Sequence, residues 1–170
     1  MRNLCSQPKY TIDTSSLLAM MNAGEKYDKE VFKKLWTDFQ ALCDAGKVVS
    51  HVEVQKEIKE GGVKDQVAWT KSYKRIFQRY NLPDEENVIR DIGSRGGHFV
   101  SFLQQQKSKS VHADPWLVAQ AKVENLILIT EEAVNSPKKI PQVCTAVGVK
   151  SISILGLIQE LFYSLHSLKE

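Results

Sequence analysis

Asp13, Glu53, Glu57, Asp114, Glu131 and Glu132 lie far apart in the chain, yet each falls beside an expected strand end or helix start. Asp13 closes the β-prone run Lys9 to Ile12, and Glu131 with Glu132 follows the apolar run Leu126 to Ile129. Asp114 opens a helix, while Glu53 and Glu57 are four apart and share one helix face. In an open parallel sheet, ligands bind outside the carboxyl ends of the strands, where acids from such positions converge. A carboxylate cluster repels itself until a cation neutralises it. Oxygen donors without His or Cys suit Mg²⁺ or Mn²⁺, and the chemistry implied is phosphodiester hydrolysis by a metal-bound water. Each acid also has a plain structural reading. Asp13 before Thr14-Ser15-Ser16 is a helix cap, Asp114 before Pro115 is a helix start, and Glu131-Glu132 is ordinary loop.

The elements that must position these acids follow from hydrophobic periodicity. A helix is expected from Asp28 to Ala45, with Val31, Phe32, Leu35, Trp36, Phe39, Leu42 and Cys43 apolar and Gly46 as its stop. A strand from Lys47 to Ser50 leads into a helix closed by Gly61 and Gly62. A further amphipathic helix is expected from Asp65 to Tyr80, with Trp69, Tyr73, Ile76, Phe77 and Tyr80 on one side and Pro83 interrupting. Short helices follow over Asp84 to Gly97 and from Phe99 to Leu103, then a polar loop from Gln104 to Ser110. The helix Ala113 to Glu124 has Asp114 as cap and Pro115 at its first position. Leu126 to Ile129 reads as a strand buried on both faces. A short helix near Val143, a strand around Ser151 to Ile154 and a last helix with Leu157, Ile158, Leu161, Phe162 and Leu165 complete the pattern. Strands alternating with helices imply an α/β open sheet, mainly parallel, with helices on both faces in three layers.

At 170 residues, with 42% hydrophobic and 25% charged residues, the chain fits one globular domain over 1–170 with a helical insertion around 63–110. The formal net charge of +3 is too small to diagnose nucleic acid by itself, so such binding must rest on local pattern. Cys5, Cys43 and Cys144 form no C-x-x-C pair, which argues against a disulfide framework or zinc knuckle and for reduced thiols in a cytoplasm. No apolar run approaches the roughly 20 residues of a membrane span.

The ordered set Tyr10-Thr-Ile-Asp-Thr-Ser-Ser-Leu-Leu, Val54 to Ile58 with Glu57, Ala113-Asp-Pro-Trp-Leu-Val-Ala and Leu128-Ile-Thr-Glu-Glu resembles the PIN-domain nucleases. With Lys139-Ile-Pro-Gln-Val-Cys added, it is most similar to a stand-alone prokaryotic PIN-like family of unknown function, over nearly the whole chain. The resemblance implies a metal-dependent ribonuclease fold with four acids at the sheet edge: Asp13, Glu57, Asp114 and Glu132. Glu53 and Glu131 are the rivals of Glu57 and Glu132. Ser15 matches a hydroxyl that accompanies the first acid, and Thr130 the polar residue before the fourth. The fourth acid is commonly Asp, and Glu132 reaches one methylene farther. The implied cofactor is Mg²⁺ or Mn²⁺ and the substrate RNA; the resemblance adds an antitoxin protein and a second copy of the chain as candidate partners. The alternative from another class is a PIN-like module that binds RNA or protein through a degenerate metal site.

Lys71, Lys74, Arg75 and Arg79 recur at helical spacing and are candidates to neutralise RNA phosphates, against the plain reading of a solvated helix face. Lys107 and Lys109 in the polar loop are candidates of the same kind. Among the histidines only His112, two residues before Asp114, has a site-like position. S-R-G-G lacks the G-K-[ST] ending of a nucleotide-binding loop, so ATP use is not indicated.

Overall fold

The computed structural model describes residues 9–79, 81–104 and 112–166, with side chains through 161. The strands β1 (Tyr10–Ile12), β2 (Val48–His51), β3 (Phe77–Gln78), β4 (Ile127–Ile129) and β5 (Ser151–Ile152) form one five-stranded sheet in the order β3-β2-β1-β4-β5. All neighbours are parallel, with Thr11 opposite Val49 on one side and Leu128 on the other. Nine helices are described: α1 (Thr14–Met21), α2 (Lys33–Asp44), α3 (Val52–Gly61), α4 (Lys64–Ser72), α5 (Leu82–Ser94), α6 (His98–Leu103), α7 (Ala113–Val123), α8 (Ile140–Val147) and α9 (Ile154–His166).

The strand order fixes where a site forms. Connections from β1 run outward to β2 and β3, whereas the later ones place β4 and β5 on the other side of β1. With right-handed crossovers, helices then cover both faces, giving a three-layer α/β/α architecture. The chain leaves the carboxyl ends of β1 and β4 in opposite directions, which opens a crevice between them. The central strands are short and apolar because both faces are covered: Ile12, Leu128 and Ile129 are fully buried. Helix α7 packs on β1, β2 and β4 and on α5, with Leu117, Val118 and Ala121 buried beneath it.

Three differences from the expected elements have local causes. Asp28 does not begin α2; its carboxylate accepts the backbone N–H of Gly24 at 2.7 Å and Glu30 at 2.8 Å, folding a turn that delays the helix to Lys33 and leaves Val31 and Phe32 exposed. The expected helix to Tyr80 stops at Ser72. The chain passes through one 3-10 turn, Lys74–Ile76, and pairs Phe77 with Ser50 and Gln78 with His51 as the edge strand β3. The aromatic stripe survives as a cluster rather than a helix face: Trp69 stacks on Tyr73, ring centroids 4.7 Å apart, and lies 5.5 Å from Trp36 of α2. Tyr80, and the loop lysines Lys107 and Lys109, lie outside the described residues. Within 63–110 therefore lie α4, β3, α5 and α6. Finally, α7 begins at Ala113 after an extended His112, so Asp114 sits in the first turn rather than at the cap.

Candidate active site

Asp13 leaves the end of β1 as the N-cap of α1, with its Oδ1 accepting the Ser16 N–H at 2.7 Å. Its Oδ2 accepts from Ser15 Oγ at 2.8 Å and from Thr130 Oγ1, at the end of β4, at 2.7 Å. Asp13 is buried. Burial raises its carboxyl to about 6, and the hydrogen bonds from Ser16, Thr130 and Ser15 only partly offset this.

Glu57, in the middle of α3, accepts from Thr14 Oγ1 at 2.5 Å and from the Ala113 backbone N–H at 3.0 Å. One carboxylate thereby ties the residue after Asp13 to the first N–H of α7. Burial raises its carboxyl, but hydrogen bonds from His112, Thr14 and Ala113 outweigh that and hold it below the usual range, with Asp114 opposing. The buried His112 imidazole lies between the two acids, Nε2 at 3.1 Å from Asp114 Oδ2 and Nδ1 at 3.9 Å from Glu57 Oε1. Asp13, at the end of β1, and Glu57 and Asp114, on α3 and α7, are linked along the carboxyl edge of the sheet through Thr14, Ala113 and His112. Among the described residues, no three His, Cys, Asp or Glu side chains converge on a point that would hold an ion as they now stand.

Glu132 joins this edge through its backbone, while its carboxylate has partners at α8. Its backbone N–H donates to Thr130 Oγ1 at 3.1 Å, but its carboxylate turns to the start of α8. There it accepts the Ile140 N–H at 2.9 Å and Lys139 Nζ at 2.8 Å. Glu131 behaves likewise at α9, accepting the Ile154 N–H at 2.8 Å and Lys26 Nζ at 3.1 Å. The cause lies in the fold. In an all-parallel α/β sheet the helices start at the carboxyl edge, so their unpaired N–H groups and positive dipole ends meet the acids there.

Glu53 faces a second buried group. Its Oε1 accepts from Arg79 Nη2 and from Lys56 Nζ, each at 2.9 Å. Arg79 Nε is 3.8 Å from Glu85 Oε2, and its guanidinium lies 4.8 Å over the Trp116 ring. His51 stacks on Trp116, centroids 5.7 Å apart. Its Nδ1 accepts the Glu53 N–H at 3.2 Å, and its Nε2 lies 3.3 Å from Glu85 Oε2 and 3.5 Å from Arg79 Nε. Of the basic stripe, Arg75 is held by Asp44 and Arg79 by Glu53. Once the chain leaves α4 the stripe no longer follows one helix face. Thr14 and Lys56 take part at this edge without having been singled out in the sequence; the signal was adjacency, one beside Asp13 and one beside Glu57.

The carboxyl edge of the sheet therefore presents acids paired with the imidazoles of His51 and His112 and with Lys26, Lys56, Arg79 and Lys139. The crystal structure of PAE2754 from Pyrobaculum aerophilum is similar to this chain with a TM-score of 0.48 at 16% identity, over 92% of this chain and 98% of that one. No curated protein matches it. A family model described as a domain of unknown function, DUF4411, matches residues 10–165, and the chain belongs to that family.

Proposed function

We propose that this protein is a PIN-like, metal-dependent endoribonuclease whose divalent ion is held by Asp13, Glu57 and Asp114. The observation that supports this reading is that Glu57 ties Thr14, the residue after Asp13, to the start of α7 that carries Asp114, with Asp13 buried deeply enough to be raised to about 6. The set fits Mg²⁺ or Mn²⁺ in kind: hard oxygen donors, mutually repelling, with an incompletely compensated buried charge that a cation would relieve. Binding would draw Glu57 and Asp114 away from their present partners, Thr14 and His112. Bound there, a divalent ion supplies a water nucleophile at neutral pH and stabilises the leaving oxygen. The chain's own part is to orient the donors. Ser15 and Thr130 fix Oδ2 of Asp13, Thr14 fixes Glu57, and Glu57 fixes the start of α7 that carries Asp114. The resemblance to PIN nucleases, the cytoplasm as location and a toxin role with an antitoxin partner belong to the same proposal. The free, buried thiols of Cys43 and Cys144 support a reducing compartment.

Purified protein is expected to cleave RNA with Mn²⁺ and not with EDTA, and Asp13→Asn to be inactive. Cleavage that persists in Asp13→Asn would come from a contaminant and sink the reading. A second reading, a module that binds RNA or protein through a degenerate metal site, is favoured by the engagement of Glu132 at α8. It predicts RNA binding with neither metal uptake nor cleavage.

A further inference from the structure

Glu53 is not used by the proposed chemistry, although it lies one turn before Glu57 on α3 and is almost wholly buried. Glu53 Oε1 takes two cations, Lys56 and Arg79, while its Oε2 is buried with no hydrogen-bond partner. Because both nitrogens are 2.9 Å from the same oxygen, the two cations stand side by side. Both remain accessible, with side-chain exposures of 56% for Lys56 and 30% for Arg79.

Arg79 is also braced from behind. Trp116 lies under its guanidinium plane, and Glu85, itself bonded to His51, approaches Nε. Its exposed edge therefore loses little conformational freedom on meeting an anion. A guanidinium has five N–H donors and an ammonium three, more than these contacts engage on either residue. The pair lies one helical turn from the acids, since Glu53, which binds both cations, shares a face of α3 with Glu57.

We propose that Lys56 and Arg79, gathered by the buried Glu53, form a phosphate clamp that holds the sugar–phosphate backbone of single-stranded RNA beside the acidic site. Glu53 is the positioning residue, and the two cations make the contact. This rests on the reading of the protein as one that acts on RNA, and it gives the recognition to this pair rather than to the stripe Lys71, Lys74 and Arg75. The contact is with backbone charge, so it carries no base preference.

The test is binding of a labelled single-stranded oligouridylate in EDTA, at several salt concentrations, with no cleavage required. Lys56→Gln is the decisive variant, because the side chain is largely exposed and its loss does not threaten folding. Lys59→Gln, exposed on the same helix, removes the same charge elsewhere. Loss of one phosphate contact lowers the slope of log affinity against log salt by about 0.7 for a single strand. Lys56→Gln should show that drop and a several-fold weaker affinity, with Lys59→Gln near wild type. Arg79→Lys, which keeps the charge but not the fork, should keep the slope and weaken binding. Equal effects of Lys56→Gln and Lys59→Gln would overturn the clamp, as would wild-type protein that does not bind RNA. Binding with the expected slopes but no Mn²⁺-dependent cleavage would sustain the clamp while removing the nuclease reading.

Discussion

Thr130 Oγ1 donates to Asp13 Oδ2 at 2.7 Å, joining the ends of β4 and β1 across the crevice. The bond satisfies a buried carboxylate that water reaches poorly. Replacing Thr130 by Val keeps the shape and removes the donor, and a buried acceptor deprived of its partner costs about 1–3 kcal/mol. Thr130→Val is expected to unfold at lower denaturant and to raise the Asp13 carboxyl further. Denaturant unfolding and carboxyl-detected NMR titration check the two effects separately.

The pH dependence of stability follows from Asp13. Its ordinary value is 3.8 and its folded value about 6. Between them the native chain keeps a proton that the unfolded chain has lost, so this group makes stability fall as pH rises through the window. The full effect above pH 6 is on the order of 3 kcal/mol. Asp13→Asn should flatten the pH profile between about 4 and 6 and be more stable than wild type at pH 7, despite losing a charged helix cap. A profile that keeps its slope in Asp13→Asn would assign the pH dependence to another group.

Glu132 and Glu57 should respond differently to neutralisation. Glu132→Gln removes charge from the start of α8, where it meets Ile140 N–H and Lys139. A cost of about 0.5–2 kcal/mol is expected from losing such a cap, with Mn²⁺ affinity close to wild type. Glu57→Gln should abolish Mn²⁺ binding. Calorimetric titration and thermal unfolding of both variants decide it, and a large loss of Mn²⁺ affinity in Glu132→Gln would return that residue to the site.

Arg79 carries a stability prediction distinct from its proposed contact with RNA. Arg79→Ala leaves Glu53 with Lys56 alone and Glu85 without its neighbouring guanidinium, and loss of a hydrogen bond to a charged group costs about 1.5–3 kcal/mol. Arg79→Lys should recover part of that loss. Equal unfolding midpoints for wild type and Arg79→Ala would show that this pairing adds no stability.

β1, β2, β4 and β5 were legible because these strands are short and mostly apolar with clear boundaries: Asp13-Thr14-Ser15-Ser16 after β1 and Gly46 before β2. Glu53 and Glu57 could not be separated, since they share one face of α3, and only partners from α1 and α7 distinguish them. Glu132 is a different case. Its carboxylate caps a helix whose first residue, Ile140, lies eight positions on, and no local pattern announces a cap across that distance. The end of α4 at Ser72 was hidden for a related reason. The stripe from Trp69 to Phe77 has helical spacing, but pairing with β2 claims Phe77 and Gln78 for the sheet.

The central place of β1 has a consequence for biosynthesis. β1 needs β4 as its second neighbour, and the bond that joins their ends links residues 117 positions apart. Parallel pairing over such separations forms late, because the intervening chain must first be made and ordered. A growing chain on the ribosome therefore carries Asp13 long before Thr130 exists to hold it, and its acidic edge stays unassembled until β4 has emerged. Under the proposed nuclease activity, that delay would spare the message and the ribosomal RNA nearest to the emerging chain.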